Sequence, residues 1–309
     1  MEKVTTVLQC IMPIFAAVVL GVLARRKQLL QPEDIRGLQQ FVMKFGLPCV
    51  LFNSCLSANI STETLGTFLL VLPFMSAGTF WAFRFGRKKF PYHNFPMLFS
   101  SQETGMLGIP LFMILFGSAQ AYRMGILDMA QMAPALLTIA ILSASSGENL
   151  SKKAILRNMA TSPLLLMSLL GLALNFSGIA GWLNRIGVGP IITDSTAFLA
   201  QPVSALMIFC VGYNFSMAKG NRRVIFRISA LHLGWTVAMG LVIQLLLLLI
   251  PNVDSLTRWA VLMYSTLPAS YLAPSLGRSE DDFSVVSGVC SILTLVSLAV
   301  FCVIAVIVT

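Results

Sequence analysis

The sequence predicts an all-α polytopic membrane protein. The pattern predicts ten transmembrane helices in two inverted repeats of five, with helices 4 and 9 broken. Three observations lead there. Apolar runs of about 20 residues recur along the whole length, the length a helix needs to cross a bilayer. Only 11% of the 309 residues are charged, while 57% are hydrophobic and the mean hydropathy is +0.84. A soluble domain carries roughly 25% charged residues. Finally, two runs five spans apart are interrupted by proline and small polar residues at corresponding places.

Taken in order, span 1 (4–24) follows Met-Glu-Lys and precedes Arg25, Arg26 and Lys27. A signal peptide carries its positive charges ahead of the apolar run, so this reads as an uncleaved first span. Span 2 (35–58) starts behind Glu33 and Asp34, as acidic residues suit a helix N-terminus. It holds Pro48 in LPCVLFNSCLSAN. Span 3 (65–84) ends in the basic cluster Arg84, Arg87, Lys88 and Lys89. Span 4 (94–117) reads NFPMLFSSQETGMLGIPLFMILFG, an apolar run with Gln102, Glu103, Thr104, Gly105, Gly108 and Pro110 in its middle. Glycine and proline weaken a helix there. Span 5 (119–143) carries Asp128, and span 6 (161–182) follows a short polar loop. Span 7 (193–216) contains QPVSALMIFCVGYNFS with Pro202, the counterpart of span 2. Span 8 is 228–250. Span 9 (258–277), RWAVLMYSTLPASYLAPSLG, is broken by Pro268 and Pro274. Span 10 (283–308) bears a small-polar stripe of Ser284, Ser287, Ser291 and Thr294, which close helix packing explains.

The net charge of +9 lies in the short loops between spans, which speaks for orientation and against nucleic acid as a partner. One side receives Arg25, Arg26, Lys27, Arg36, Arg84, Arg87, Lys88, Lys89, Lys152, Lys153, Arg157, Lys219, Arg222, Arg223, Arg227 and Arg278; the other receives Lys3, Arg123, Arg185 and Arg258. The first side is therefore cytoplasmic and both termini face outward. Five spans in 1–150 and five in 151–309 then have opposite orientations, one integral unit in the plasma (cell inner) membrane. The six cysteines fall within or beside apolar runs without a CxxC or Cys/His cluster, so they read as buried free thiols, with no disulfide, metal or cofactor implied.

Paired interruptions at matching places in two halves point to a transporter's binding site. Depth agrees. At 1.5 Å per residue, Glu103 lies about 14 Å from the inner end of span 4, Thr266 about 12 Å from the outer end of span 9, and Asp128 about 15 Å along span 5. A broken helix exposes amides and a partial positive charge at each new N-terminus. Those N-termini are expected near Ile109 and Pro110 and near Ala269 and Ser270. Two positive helix ends facing one volume suit a carboxylate-bearing substrate. The expected substrate site is Glu103, Thr104, Gly105, Gly108, Ile109, Pro110, Ser265, Thr266, Pro268, Ala269 and Ser270. Ionised, Glu103 would repel a carboxylate; it is expected to carry a proton or bind a cation and so couple transport to a gradient, with Asp128 the second candidate. Tyr264 and Tyr271 offer an aromatic wall. Lys44 reads as snorkelling from span 2 to the interface, and His232 as a satisfied helix residue.

Several segments resemble the auxin efflux carrier family of permeases, which includes plant PIN proteins and many bacterial transporters. TGMLGIPLFMILFG of span 4 carries the most specific likeness; RNMATSPLLLMSLLGLAL, LAQPVSALMIFCVGYNFS and TLPASYLAPSLG resemble its sixth, seventh and ninth spans. The resemblance implies a scaffold domain from spans 1, 2, 6 and 7, which also forms a homodimer, and a mobile transport domain from spans 3–5 and 8–10. It implies that spans 4 and 9 cross at Pro110 and Pro268, that the cargo is an organic anion, and that transport follows an elevator motion. Glu103 stands where the family often has asparagine, and the compact form is the more bacterial one.

The expected function is a secondary transporter for a small organic anion, a mono- or dicarboxylate, coupled to a proton or sodium ion and embedded in the lipid bilayer. The alternatives are a sodium-coupled symporter of the bile-acid type, which Glu103 favours, and a non-transporting membrane ligand sensor. No nucleophile elbow, catalytic aspartate pair or HExxH motif suggests an enzyme.

Overall fold

The computed structural model describes residues 2–59, 62–145, 157, 161–215, 221–250 and 253–308. The expected boundary between the halves, the basic residues Lys152, Lys153 and Lys219, and the side chain of Cys10 lie outside the described residues. Every named element among the described residues is helical. The helices are α1 (Glu2–Arg26), α2 (Pro32–Phe41), α3 (Leu47–Leu56), α4 (Thr62–Trp81), α5 (Ile109–Phe116), α6 (Ala121–Ser145), α7 (Pro163–Phe176), α8 (Ile179–Arg185), α9 (Val188–Ala200), α10 (Val203–Asn214), α11 (Arg222–Leu247), α12 (Ser255–Ser265) and α13 (Glu280–Val308).

Among the described residues, six helices are long and apolar enough to cross a membrane, or seven if α7 and α8, bent by 77°, count as one. The other expected spans fall on interrupted helices. Span 2 is α2 and α3 joined by a π turn, Val42–Gly46. Pro48 explains that turn. It offers no N–H to the preceding turn, and a wider i→i+5 register absorbs the missing bond. The π turn Thr104–Gly108 precedes Pro110 in the same way, whereas a further π turn, Ala82–Gly86, has no proline at that spacing after it. Span 7, one of the six as Val188–Asn214, is likewise composed of α9 and α10, joined at Gln201 and Pro202.

Spans 4 and 9 contain real interruptions. Residues 94–103 form a 3-10 turn, Phe95–Phe99, and an extended strand-like piece before the π turn and α5. α12 stops at Ser265, and 266–272 run irregularly into the 3-10 turn Ala273–Leu276.

Packing follows a few tight pairs. α1 lies along α10, α3 along α7, α4 along α6, and α11 along both α12 and α13. The α1–α10 contact depends on glycine: a Cβ at Gly21 would sit 2.2 Å from the Phe209 carbonyl oxygen, and one at Gly212 2.2 Å from that of Val18. Without a strong hydrophobic drive between helices in lipid, such close backbone approach is what holds a pair together. Two apolar cores flank the interruptions. One gathers Leu51, Leu107, Ile109, Phe112, Met207, Tyr264 and Phe301; the other gathers Phe95, Leu98, Phe99, Ile228, Val285 and Val289. Outward-facing Phe80, Phe198 and Leu249 are 67–78% exposed, a surface that suits hydrocarbon. Cys49, Cys55, Cys210 and Cys290 are free and buried.

Candidate functional site

The two interruptions meet. Gln102 and Ala269 form an antiparallel bridge. Glu103 N–H donates to the Pro268 carbonyl at 2.8 Å, and Ser270 N–H donates to the Ser101 carbonyl at 3.1 Å. Breaking both helices frees backbone groups that lipid cannot satisfy, and here each broken stretch satisfies the other.

The outer edge of this short pairing has no third strand. The side chain of Gln131 on α6 takes that place. Its Oε1 accepts Gln102 N–H at 2.6 Å and its Nε2 donates to the Gln102 carbonyl at 2.9 Å, so a side-chain amide imitates a neighbouring peptide. The same Oε1 accepts the Tyr264 hydroxyl at 2.8 Å, and Nε2 also lies within bonding distance of Thr104 Oγ1 (2.9 Å) and Asp128 Oδ1 (2.8 Å). The Thr104 hydroxyl donates to Asp128 Oδ1. Gln131 is 3% exposed. One turn from Asp128 on a membrane helix, it could have been read from the sequence by its i, i+3 spacing.

Glu103 corrects the expected helix ends. The second half of span 4 starts at Glu103, which caps the π turn Thr104–Gly108, and Ile109 and Pro110 lie inside the continuous turn that follows. No α-helix restarts at Ala269 and Ser270. The free amides expected there are already engaged. Glu103 Oε2 accepts Tyr271 N–H at 2.6 Å, Oε1 accepts Met106 N–H at 3.2 Å, and Ser270 N–H is in the bridge. The group that takes up these amides is thus the protein's own Glu103 carboxyl, which the sequence could not reveal because either amide set could equally have faced a solute.

The other expected residues are placed as follows. Thr104 joins the Asp128–Gln131 network, and Pro268 and Ala269 lie in the bridge. Gly108 lets Leu267 approach: an added Cβ would stand 2.7 Å from Leu267 Cδ1. Gly105, Ile109 and Pro110 are buried beside it. Ser265 and Thr266 turn back onto their own helix, donating to the Leu262 and Met263 carbonyls at 2.8 and 3.0 Å. Ser270 Oγ accepts Leu272 N–H at 3.3 Å. Tyr271 does not form an open wall; its hydroxyl pairs with Thr294 Oγ1 at 2.7 Å, and Ser297 donates to the Thr266 carbonyl at 2.5 Å. The far end of the α13 polar stripe therefore does face span 9. On the other side of the bridge, the Gln102 side-chain amide lies 3.0–3.2 Å from the Leu267 and Pro268 carbonyls and His232 Nε2, an arrangement that suits its nitrogen facing all three.

A cavity of about 320 Å³ opens beside this network. Asp128 forms part of its wall, and so does Lys44, which the sequence suggested would snorkel away. Its volume is that of a small-ligand site. Among the described residues no cluster of three or more His, Cys, Asp or Glu side chains could hold a metal ion.

Residues 6–152 match a protein-family model, described as a membrane transport protein. No curated protein matches the chain in sequence.

Proposed function

We propose that this chain is a secondary transporter for a small organic anion; the match over residues 6–152 supports an auxin-efflux-carrier-like permease of the membrane. The cargo is a carboxylate-bearing solute that binds where the two interruptions meet. One observation carries this reading: two broken spans are joined backbone to backbone at their interruptions, with Glu103 bridging them and Asp128 leading into a cavity lined also by Lys44. A packed structural break would need no cavity and no second carboxylate.

Spans 1, 2, 6 and 7 act as scaffold, and spans 3–5 and 8–10 as the moving part, with ten spans in two inverted repeats. The tight pairs support this division, since α1–α10 and α3–α7 fall in one set and α4–α6, α11–α12 and α11–α13 in the other. The bridge holds the crossing of spans 4 and 9 together as one rigid element, and an elevator movement carries it across the bilayer in the cell membrane. A homodimer through the scaffold and outward-facing termini complete the reading.

Sodium-coupled symport is the second reading, favoured by Glu103 and Asp128. Hard cations take oxygen ligands. Asp128 stands beside the Thr104 hydroxyl, while the Glu103 carboxyl lies at the break itself with both oxygens accepting backbone N–H groups. A thermal-shift screen of purified protein against mono- and dicarboxylates, in acidic and alkaline buffer, with and without sodium, separates the two. A ligand that binds only the folded state raises its melting temperature. Stabilisation by a carboxylate irrespective of sodium supports the anion carrier; an absolute sodium requirement supports the symporter. No response to any carboxylate under any condition refutes both.

A further inference from the structure

The cavity beside the bridge carries two opposite charges that do not neutralise each other. It lies between the π turn Val42–Gly46, α6 and the start of α7. Lys44 and Asp128 line it together with apolar Met43, Leu51, Met129 and Met132. No ion pair joins Lys44 to Asp128, and among the described residues Lys44 has no hydrogen-bond partner. Both bonds to Asp128 fall on Oδ1, from Thr104 and Gln131; its Oδ2 has no partner among the described residues.

The positive end of the cavity has a second contributor. α7 packs against the π turn, and its first residues Ser162, Pro163, Leu164 and Leu165 line the cavity. Ser162 is the N-cap residue, yet its side chain makes no capping bond. The first-turn amides of a 14-residue helix therefore reinforce Lys44 as an anion contact.

We propose that this cavity binds a zwitterion, an α-amino acid with an apolar side chain. Its carboxylate sits on Lys44 and the α7 amides, its ammonium on Asp128 Oδ2, and its side chain on the methionine and leucine wall. A simple carboxylate would satisfy Lys44 but leave the Asp128 oxygen desolvated beside a like charge. A simple amine would leave Lys44 and the helix end unanswered. A zwitterion answers both and brings no net charge into the membrane. The dimensions agree: a sphere of 320 Å³ is about 8 Å across, room for two charge-assisted contacts of about 2.8 Å on either side of an amino acid's own two charged groups.

This inference rests on the permease reading and narrows its cargo, so the test must separate the two. Purified full-length protein is titrated with matched trios and its melting followed: phenylalanine, 3-phenylpropanoate and phenethylamine; leucine, 4-methylpentanoate and 3-methylbutylamine. The same compounds are then offered to proteoliposomes. The expected result is stabilisation by at least one amino acid, with its deaminated and decarboxylated partners at least tenfold weaker. Lys44→Gln is expected to weaken amino acid binding at least tenfold while its ligand-free melting stays close to wild type, since Lys44 is exposed and unpartnered. Asp128→Asn is expected to remove the discrimination against 3-phenylpropanoate.

A deaminated acid that binds as tightly as its amino acid overturns the zwitterion and leaves the organic anion carrier standing. Failure of every amino acid to bind overturns it as well, and failure of every carboxylate to bind or move removes the permease cargo with it. Unchanged amino acid binding in Lys44→Gln would also overturn it.

Discussion

Replacing Gln131 with methionine should cost more stability than any other single polar-to-apolar change among the membrane helices. Methionine keeps the length and most of the volume, so packing is nearly conserved. What is lost is the peptide-like partner of Gln102. Oε1 accepts two buried donors, Gln102 N–H at 2.6 Å and the Tyr264 hydroxyl at 2.8 Å. Tyr264 is fully buried and Gln102 is 3% exposed, so water cannot replace the lost acceptor at either. A buried donor left unsatisfied costs about 1–3 kcal/mol, so the pair costs about 2–6 kcal/mol. The Gln102 carbonyl also loses its donor, though its bond from Thr104 N–H at 3.0 Å remains. At about 2 °C or more per kcal/mol, the melting temperature should fall by several degrees. Gln244→Met is the matched control. Its amide makes one bond, to the Arg258 carbonyl at 2.7 Å, and its removal should cost about 1 kcal/mol. Both are measured by thermal melting in the same detergent, with intrinsic tryptophan fluorescence as readout. If Gln131→Met melts within a degree of wild type, or no lower than Gln244→Met, Gln131 does not complete the bridge.

Further outcomes follow from the same contacts. Glu103→Gln can accept from only one of Tyr271 N–H and Met106 N–H and turns an NH₂ toward the other, so melting should fall by the equivalent of about 1–3 kcal/mol. The same variant should abolish any pH or sodium dependence of ligand stabilisation. Gly108→Val should cost about 1–3 kcal/mol and reduce flux, because its Cβ meets Leu267 and Met124 at 2.7 and 2.9 Å. Gly37→Ala, with nothing within 4 Å of the added Cβ and a helical position, should be neutral or gain about 0.5–1 kcal/mol. Arg123 on α6 reaches Asp254 at 2.5 Å and also bonds Thr257, tying α6 to the start of α12. Since the Asp254 side chain is 40% exposed, Asp254→Asn should cost about 1 kcal/mol and make melting less sensitive to salt.

The sequence located the two interruptions because their composition is unusual: a glutamate, glycines and prolines inside apolar runs have few bland explanations. Glu103, Thr104 and Pro268 stand in those interruptions, and the structure brings the two stretches together. Asp128 joined them through Thr104. What composition could not tell was ownership of the freed amides. Glu103 takes the Tyr271 N–H from a stretch 168 residues away, a contact no local pattern encodes. The helix start near Pro110 was misplaced for a related reason. Proline's lost donor was read as a break, whereas a π turn carries the helix through it, and the break lies at the extended residues before Glu103. The Ser265 and Thr266 hydroxyls bond the carbonyl a turn earlier, as hydroxyls in a membrane helix readily do. Gln131 was missed because a lone glutamine resembles the other intramembrane amides; only its proximity to Asp128 distinguishes it. Lys44 was assigned to the interface from its nearness to a span end. The π turn below Pro48 also places it on a cavity wall.

The central claim is that the meeting of the two interruptions is a transport site for a carboxylate-bearing solute. Its most direct test is flux in proteoliposomes loaded with an unlabelled carboxylate or amino acid that stabilises the protein, with counterflow of the labelled compound followed over time. The account predicts saturable counterflow in wild type and a loss of at least tenfold in Gly108→Val and Lys44→Gln, while protein incorporated per liposome is unchanged. Saturable binding of the same compound without counterflow in wild type would contradict transport and make the protein a membrane ligand sensor.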